Sequence, residues 1–308
     1  MVILKYLSSS LRGTPGARNA HKLMLSSRPG ILSGLEQLVA LCPADDTDNE
    51  EPVFLLSAGW RSGSTLLQRL IMSDTRVFVW GEPYDHCGII QALADTLKAF
   101  TPDWPHTGYY YDGTPRNELS SRWIADMYPP LRDLRRSHRA LLNAMFAEPA
   151  KAAGASRWGI KEVRWGIEHA AYLRWLYPKA RFLFIYRNPQ DAYQSYCRYG
   201  RNWYKAWPGV PVFTPTAFGR HWRELVEGFL GDSNKVDGLV IRYEDLVQGA
   251  LPLQELEQYL GIKVDPSVLD RKVGSSEQGG EKPWVSQLEK WLLRRAVSPI
   301  AQELGYYE

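Results

Sequence analysis

Cysteine is scarce in this chain: Cys42, Cys87 and Cys197 are the only three in 308 residues. Their scatter offers neither a zinc-ligand spacing nor a disulfide framework, which fits a reducing compartment. No apolar run approaches the ~18 residues that a membrane-spanning helix needs, so no membrane span is expected and the cytoplasm is the expected location. An excess of one charge is also missing. Against 37 Lys and Arg stand 34 Asp and Glu, a net charge of +3, too close to neutral to argue for nucleic acid. There is no internal repeat. With 44% hydrophobic residues the chain can build a sizeable core, and its length suits one large α/β domain or two small ones.

What is plentiful is aromatic, with 12 Trp and 17 Tyr, and unevenly spread charge. Residues 1–35 hold Lys5, Arg12, Arg18, Lys22 and Arg28 and no acid. They read as an irregular basic tail, although a transit peptide or a membrane- or partner-binding arm has the same composition. Ile31 to Leu41 is expected to be helical, with Leu35, Leu38 and Val39 on one side. An acidic linker, Asp45 to Glu51, follows. Residues 1–50 are therefore read as tail and linker, and 51–308 as the folded domain.

The domain opens on Val53-Phe54-Leu55-Leu56, an apolar run without alternation, as expected of a strand buried on both faces. Gly59-Trp60-Arg61-Ser62-Gly63-Ser64-Thr65 follows, and Leu66, Leu67, Leu70 and Ile71 then recur at helical spacing. A strand, a small-residue turn and a helix N-terminus form an anion cradle, because unpaired first-turn N–H groups and the helix dipole both favour negative charge. The usual ATP or GTP loop needs Gly-Lys-Ser/Thr at its end. Here Ser64 stands in the Lys position, and the cation is Arg61. Further strands are expected at residues 76–80, 158–163, 182–186 and 239–243, separated mostly by helical segments, with residues 182–186, the fourth strand of the chain and entirely apolar, as the central one. That alternation predicts an α/β fold: a P-loop-like, parallel five-stranded sheet flanked by helices on both faces.

A second phosphate grip is legible at Arg187-Asn188-Pro189-Gln190-Asp191, with Ser195 two turns into the next helix. Arg187 ends a core strand, where α/β sheets bind ligands, and its guanidinium suits two phosphate oxygens. The Arg61–Thr65 loop resembles the phosphosulfate loop of sulfotransferases, chiefly the carbohydrate and bacterial kinds. Arg187, Pro189, Asp191 and Ser195 match the family's 3′-phosphate element. Arg242-Tyr243-Glu244-Asp245-Leu246 is similar to a family strand end and is read as structural, with Asp245 capping the next helix. Arg271-Lys272-Val273-Gly274 resembles a late basic loop, and Leu304-Gly305-Tyr306 the closing motif. The resemblance spans about residues 52–307.

It implies a transferase that moves a sulfuryl group from 3′-phosphoadenosine 5′-phosphosulfate (PAPS) to an acceptor hydroxyl, a carbohydrate by analogy, without a metal. Arg61, Ser62, Gly63, Ser64, Thr65, Arg187, Ser195, Arg271 and Lys272 would bind the donor. Glu82, in the Glu82-Pro83 pair after the second strand, is the expected base, since burial makes a carboxylate a better proton acceptor. His86 is its competitor. Lys161 would stabilise the transferred group, or else pair with Glu82 or Glu162. The aromatic stretches 101–117 and Trp203–Trp207 are candidate acceptor walls. The rivals are a kinase on the same sheet, a sulfotransferase for lipid, phenol or peptide acceptors, and a non-catalytic scaffold.

Overall fold

The computed structural model describes residues 30–42, 49–84, 88–198, 212–271 and 285–307. The expectations about His86, Cys87, Trp203–Trp207 and Lys272, and most of those about the basic tail, lie outside the described residues. In chain order the elements are α1 (Ile31–Leu41), β1 (Val53–Ser57), α2 (Ser64–Ile71), β2 (Val77–Trp80), α3 (Ile89–Asp95), α4 (Leu131–Leu142), α5 (Glu148–Ala152) and β3 (Arg157–Glu162). They continue with α6 (Ile167–Leu176), β4 (Arg181–Tyr186), α7 (Pro189–Cys197), α8 (Pro215–Asp232), β5 (Gly238–Arg242), α9 (Tyr243–Gln248), α10 (Leu253–Leu260), α11 (Ser267–Asp270), α12 (Gln287–Val297) and α13 (Ile300–Glu303). No helix among the described residues is long and apolar enough to cross a membrane.

The five strands form one sheet in the order β2-β3-β1-β4-β5, and every neighbouring pair is parallel. The expected α/β sheet with helices on both faces is present. The middle strand, however, is β1, not the fourth. Strand β4 is interior and as apolar as a middle strand because β1 and β5 cover both its edges. Side chains of β1 alternate between two cores, as a period-2 strand requires. Phe54 and Leu56 join Trp158, Phe182 and Phe184 on one face, beneath α1, α3, α6, α7, α8 and α12. Val53 and Leu55 join Leu183 and Ile185 on the other, beneath α2, α9, α10 and α11. A strand buried this way has no solvated face, which is why the sequence shows no alternation.

Some local expectations need correction. Helix α1 forms at its expected bounds and buries Ile31, Leu35 and Leu38 in the main core, but Val39 is exposed. Residues 88–100 end in a 3₁₀ turn, Thr96–Ala99. The helical stretch from Leu131 passes through a π turn, Asn143–Ala147, before α5. Tyr243 opens α9 instead of closing β5, and Asp245 lies inside that helix's first turn, where it is not the N-cap. Asn188 caps α7, its side chain accepting from the backbone N–H groups of Gln190 and Asp191, and Asp191 lies in that helix's first turn.

The chain reverses its direction of travel across the sheet at β1. Strands β2 and β3 lie on one side of it and β4 and β5 on the other. In open α/β sheets the crevice at such a switch point, beyond the strands' carboxyl ends, is where ligands bind. The residues just past β1 and β4 therefore flank the expected site.

One polar knot closes the far side of the sheet. Buried Asp74 accepts from Arg76 Nη2 at 2.6 Å and from the Lys263 backbone N–H at 3.0 Å. Its hydrogen bonds with Arg76, the largest cause, hold its carboxyl well below the usual carboxylate range. A depressed carboxyl stabilises the fold above its unfolded pKa of about 4 and loses that contribution as pH falls below it. Asp74→Asn should therefore cost roughly 1–3 kcal/mol at neutral pH in denaturant unfolding, and the gap from wild type should begin to shrink as pH falls below about 4, where the unfolded chain takes up a proton at Asp74 while the folded one keeps its carboxylate.

Candidate functional site

The turn after β1 is built from unusual backbone. Gly59, Arg61 and Gly63 all have positive φ, at 74°, 64° and 90°. For arginine this conformation is uncommon and costly, and such strain clusters at ligand sites. Ser62 is fully buried, and its hydroxyl donates to the Ala58 carbonyl at 2.9 Å. Its side chain holds the loop together and faces inward. Gly63 is the N-cap of α2; Ser64 behind it is buried, whereas Thr65 is exposed in the first turn. A Cβ on Gly63 would lie 2.1 Å from the Tyr243 ring, so glycine is required there by both backbone and neighbour.

The structure brings the two expected grips together. Arg61 Nε donates to Ser195 Oγ of α7 at 2.9 Å. Arg187 Nη1, from the tip of β4, donates to the Arg61 carbonyl at 3.3 Å. Arg187 is itself held from several directions. Its guanidinium sits 4.4 Å from the centroid of the Tyr243 ring, and its carbonyl accepts from Trp222 Nε1 at 3.0 Å. The next backbone N–H, of Asn188, donates to Glu244 at 2.9 Å. Glu244 also accepts from Tyr306 Oη at 2.9 Å, so the C-terminal Leu304-Gly305-Tyr306 braces this corner. Arg187 Nε is buried without a hydrogen-bond partner among the described residues.

Arg271 is not drawn into this group. It pairs with Asp265 at 3.8 Å, donates to Ser267 and accepts through its carbonyl from Arg69. It stands among exposed polar groups beside α11.

Glu82 lies past the end of β2, two strands from β1, and β3 runs between them. With neighbouring strands spaced about 4.8 Å apart, that is roughly 10 Å across the sheet. Lys161 of β3 occupies the interval and donates to Glu82 Oε1 at 2.6 Å. Of the alternatives for Lys161, pairing with Glu82 is thus the one observed. The Glu82 side chain is 27% exposed, more open than a buried base. Behind it Arg164 Nη2 stands 4.0 Å from Glu82 Oε2. Arg164 also forks onto Glu162, Nε to Oε1 at 2.8 Å and Nη2 to Oε2 at 3.1 Å, with both side chains buried. Burial pushes the Glu162 carboxyl up, against the pull of Arg164.

Reading from sequence missed three residues of this site. Tyr243 was visible within a motif, but nothing local said that its ring covers both Gly63 and Arg187. Arg164 sits beside a quoted strand without any spacing signal. His221, in the middle of α8, packs its ring 5.4 Å from Trp60 in the loop, and only tertiary structure puts it there. The aromatics of residues 101–117 turn mainly to one another: Trp104 meets His106 and Tyr109 edge-on, each at 5.9 Å.

A family profile described as "Sulfotransferase family" matches residues 52–266, more than half of the chain. A comparison with curated proteins found no match. Among solved structures, the sulfotransferase domain of the Synechococcus PCC 7002 olefin synthase is 17% identical, with a TM-score of 0.47, over 86% of this chain and 98% of that one. Sulfotransferase STF9 from Mycobacterium avium is 14% identical, with a TM-score of 0.41, over 90% and 84%. Mouse sulfotransferase SULT7A1, solved complexed with PAP, is 16% identical, with a TM-score of 0.38, over 90% and 85%. The profile match covers β1 to β5 and both arginine grips, and on that ground the chain belongs to the sulfotransferase family.

Proposed function

We propose that residues 51–308 catalyse transfer of a sulfuryl group from PAPS to an acceptor hydroxyl, with a carbohydrate as the acceptor class. One observation carries this reading. Arg61 and Arg187, from the ends of neighbouring strands, come together at the switch point of the sheet, joined by the bond from Arg187 to the Arg61 carbonyl. Both arginines bring positive charge to the same pair of strand tips, which favours an anion there. The residues fit a doubly phosphorylated donor in two further ways. A buried guanidinium N–H, Arg187 Nε, lacks a partner among the described residues, and the loop offers the N-terminus of α2 to negative charge.

Arg187 and Ser195 would hold the 3′-phosphate. Gly63, Ser64, Thr65 and Arg61 would hold the phosphosulfate end. When bound, the donor supplies a sulfuryl group whose S–O bond to phosphate breaks with the electron pair leaving on the phosphate. Lys161, between the loop and Glu82, lies where negative charge builds up on the transferred group. Glu82 takes the proton of the acceptor hydroxyl as that oxygen bonds to sulfur, and its 27% exposure leaves it accessible to an acceptor. Its ion pair with Lys161 orients the carboxylate, and proton transfer leaves the lysine free to face the sulfonate. No step requires a metal.

Calorimetry with adenosine 3′,5′-bisphosphate (PAP) separates binding from chemistry. Arg187→Ala should weaken PAP by roughly 10- to 100-fold, the equivalent of one or two charged hydrogen bonds; wild-type affinity in that variant would count against the assignment. Glu82→Gln should keep wild-type PAP affinity and lose about 10²- to 10⁴-fold in kcat, and an undiminished kcat would remove Glu82 as the base. Gly63→Ala forces a Cβ into the Tyr243 ring at a positive-φ position. It should lower stability by roughly 1–3 kcal/mol and weaken PAP in the same protein; unchanged thermal unfolding would show that the loop tolerates a side chain.

A further inference from the structure

A cavity of about 430 Å³ adjoins the catalytic corner without containing it. Its volume falls within the range of small-molecule sites, roughly 300–1,000 Å³. Arg164 and His221 line it, and each also touches the proposed machinery: Arg164 approaches Glu82 at 4.0 Å and His221 packs on Trp60. The cavity and the base therefore share a wall.

The lining has a definite chemistry. Its two cations are matched by carboxylates, Lys98 by Asp95 at 2.6 Å and Arg164 by Glu162, and the His169 ring lies 3.2 Å from the Glu168 carboxylate. Glu224 adds a further carboxylate on the exposed rim. An anionic ligand would meet cations already neutralised and several carboxylates. A purely apolar ligand would strip water from these groups without replacing their hydrogen bonds, which is costly. Hydroxyl groups both donate and accept, and so suit such a wall. His221 supplies a specific contact. One ring nitrogen bonds to the Val163 backbone, burial holds the ring's pKa down to about 4, and Nε2 is buried with no partner among the described residues. With the ring neutral and its other nitrogen donating to the Val163 carbonyl, Nε2 carries no proton and can accept from a ligand hydroxyl.

Gly228 points the same way. It lies inside the 18-residue helix α8 and lines the cavity. Glycine weakens a helix interior relative to alanine. Yet a Cβ there would meet nothing nearer than Ile167 Cγ2 at 3.7 Å, an ordinary contact. Close packing does not demand glycine at this position, and a larger side chain would take up part of the cavity that Gly228 lines.

We propose that this cavity is the acceptor site and that it takes a neutral, polyhydroxylated acceptor of about sugar-ring size, with its reacting hydroxyl directed past Arg164 to Glu82. This rests on the sulfotransferase reading of the site. The competing location is an apolar cavity of about 420 Å³ between Phe100, Tyr110, Tyr128 and Leu134. It suits flat or greasy acceptors, and none of its lining residues is tied to Glu82, Arg61 or Arg187.

Two measurements on the full chain decide between them. Transfer from radiolabelled PAPS is followed to methyl glucoside and methyl galactoside in one arm, and to naphthol and dodecanol in the other. Saturation-transfer NMR with the same glycosides, which needs no donor, reads the cavity separately. Turnover of a glycoside is expected, and Gly228→Leu, which fills the cavity, should raise its KM roughly tenfold or more while leaving PAP affinity within about twofold. Glu224→Ala, at the exposed rim, should raise the same KM in a protein whose fold is not at risk. The NMR signal should fall in both variants. Turnover confined to naphthol or dodecanol, no glycoside turnover by a protein that binds PAP, or glycoside kinetics and NMR contacts indifferent to both substitutions would each overturn the proposal. Loss of PAP binding by the wild type would instead defeat the donor reading, with the NMR still deciding the cavity.

Discussion

The bond from the Arg187 guanidinium to the Arg61 carbonyl fastens the tip of β4 to the loop after β1, and the surrounding structure is arranged to keep that bond in place. Tyr243 covers Arg187 on one side, Trp222 fixes its carbonyl, and Glu244 fixes the next N–H. Glu244 is in turn held by Tyr306 from the chain's last described turn. Strand order makes this fastening possible. Because β1 and β4 are neighbours in the sheet but far apart in sequence, two loops with separate sequence signals lie side by side at the strand ends. Two arginines carried on neighbouring strand ends add positive potential to the same corner, which is the basis of the anion-binding proposal.

A second electrostatic layer lies across β3. Lys161 and Arg164 both reach towards Glu82, while Glu162 takes the fork of Arg164. A fully buried ion pair such as Glu162–Arg164 contributes little net stability, because desolvation offsets attraction. Its value is geometric: it sets Arg164 between the proposed base and the polar cavity. Lys161 stands between loop and base in the same manner. The order of charges across the strand tips, from Arg61 through Lys161 to Glu82, follows the order in which a leaving group, a transferred group and an acceptor would lie.

Much of this was legible in the sequence because it is written in local patterns. The unalternating Val53–Leu56 run identified a doubly covered strand, the glycines and hydroxyls after it identified a tight turn into a helix, and Arg187 before Pro189 identified a strand end feeding a helix. All three are in the structure. What stayed hidden depends on distant partners. No neighbour of His221 in sequence says that it meets Trp60, and none of Tyr243 says that it covers Gly63. Strand β4 looked like the centre of the sheet because β5, of mixed burial, shields its outer edge as fully as β1 shields the inner. The Lys161–Glu82 pair was one of several pairings that composition allowed, and only the side-by-side register of β2 and β3 selected it.

The claim on which the rest depends is that one ligand carrying phosphate at two positions spans the crevice between β1 and β4. Comparing the wild-type Kd for PAP with that for adenosine 5′-phosphate, by calorimetry in the same buffer, tests it most directly, since the two differ only in the 3′-phosphate that Arg187 and Ser195 would hold. PAP should bind at least about tenfold more tightly, the equivalent of one charge-assisted contact. Equal affinities, or a preference for the monophosphate, would contradict the two-grip site.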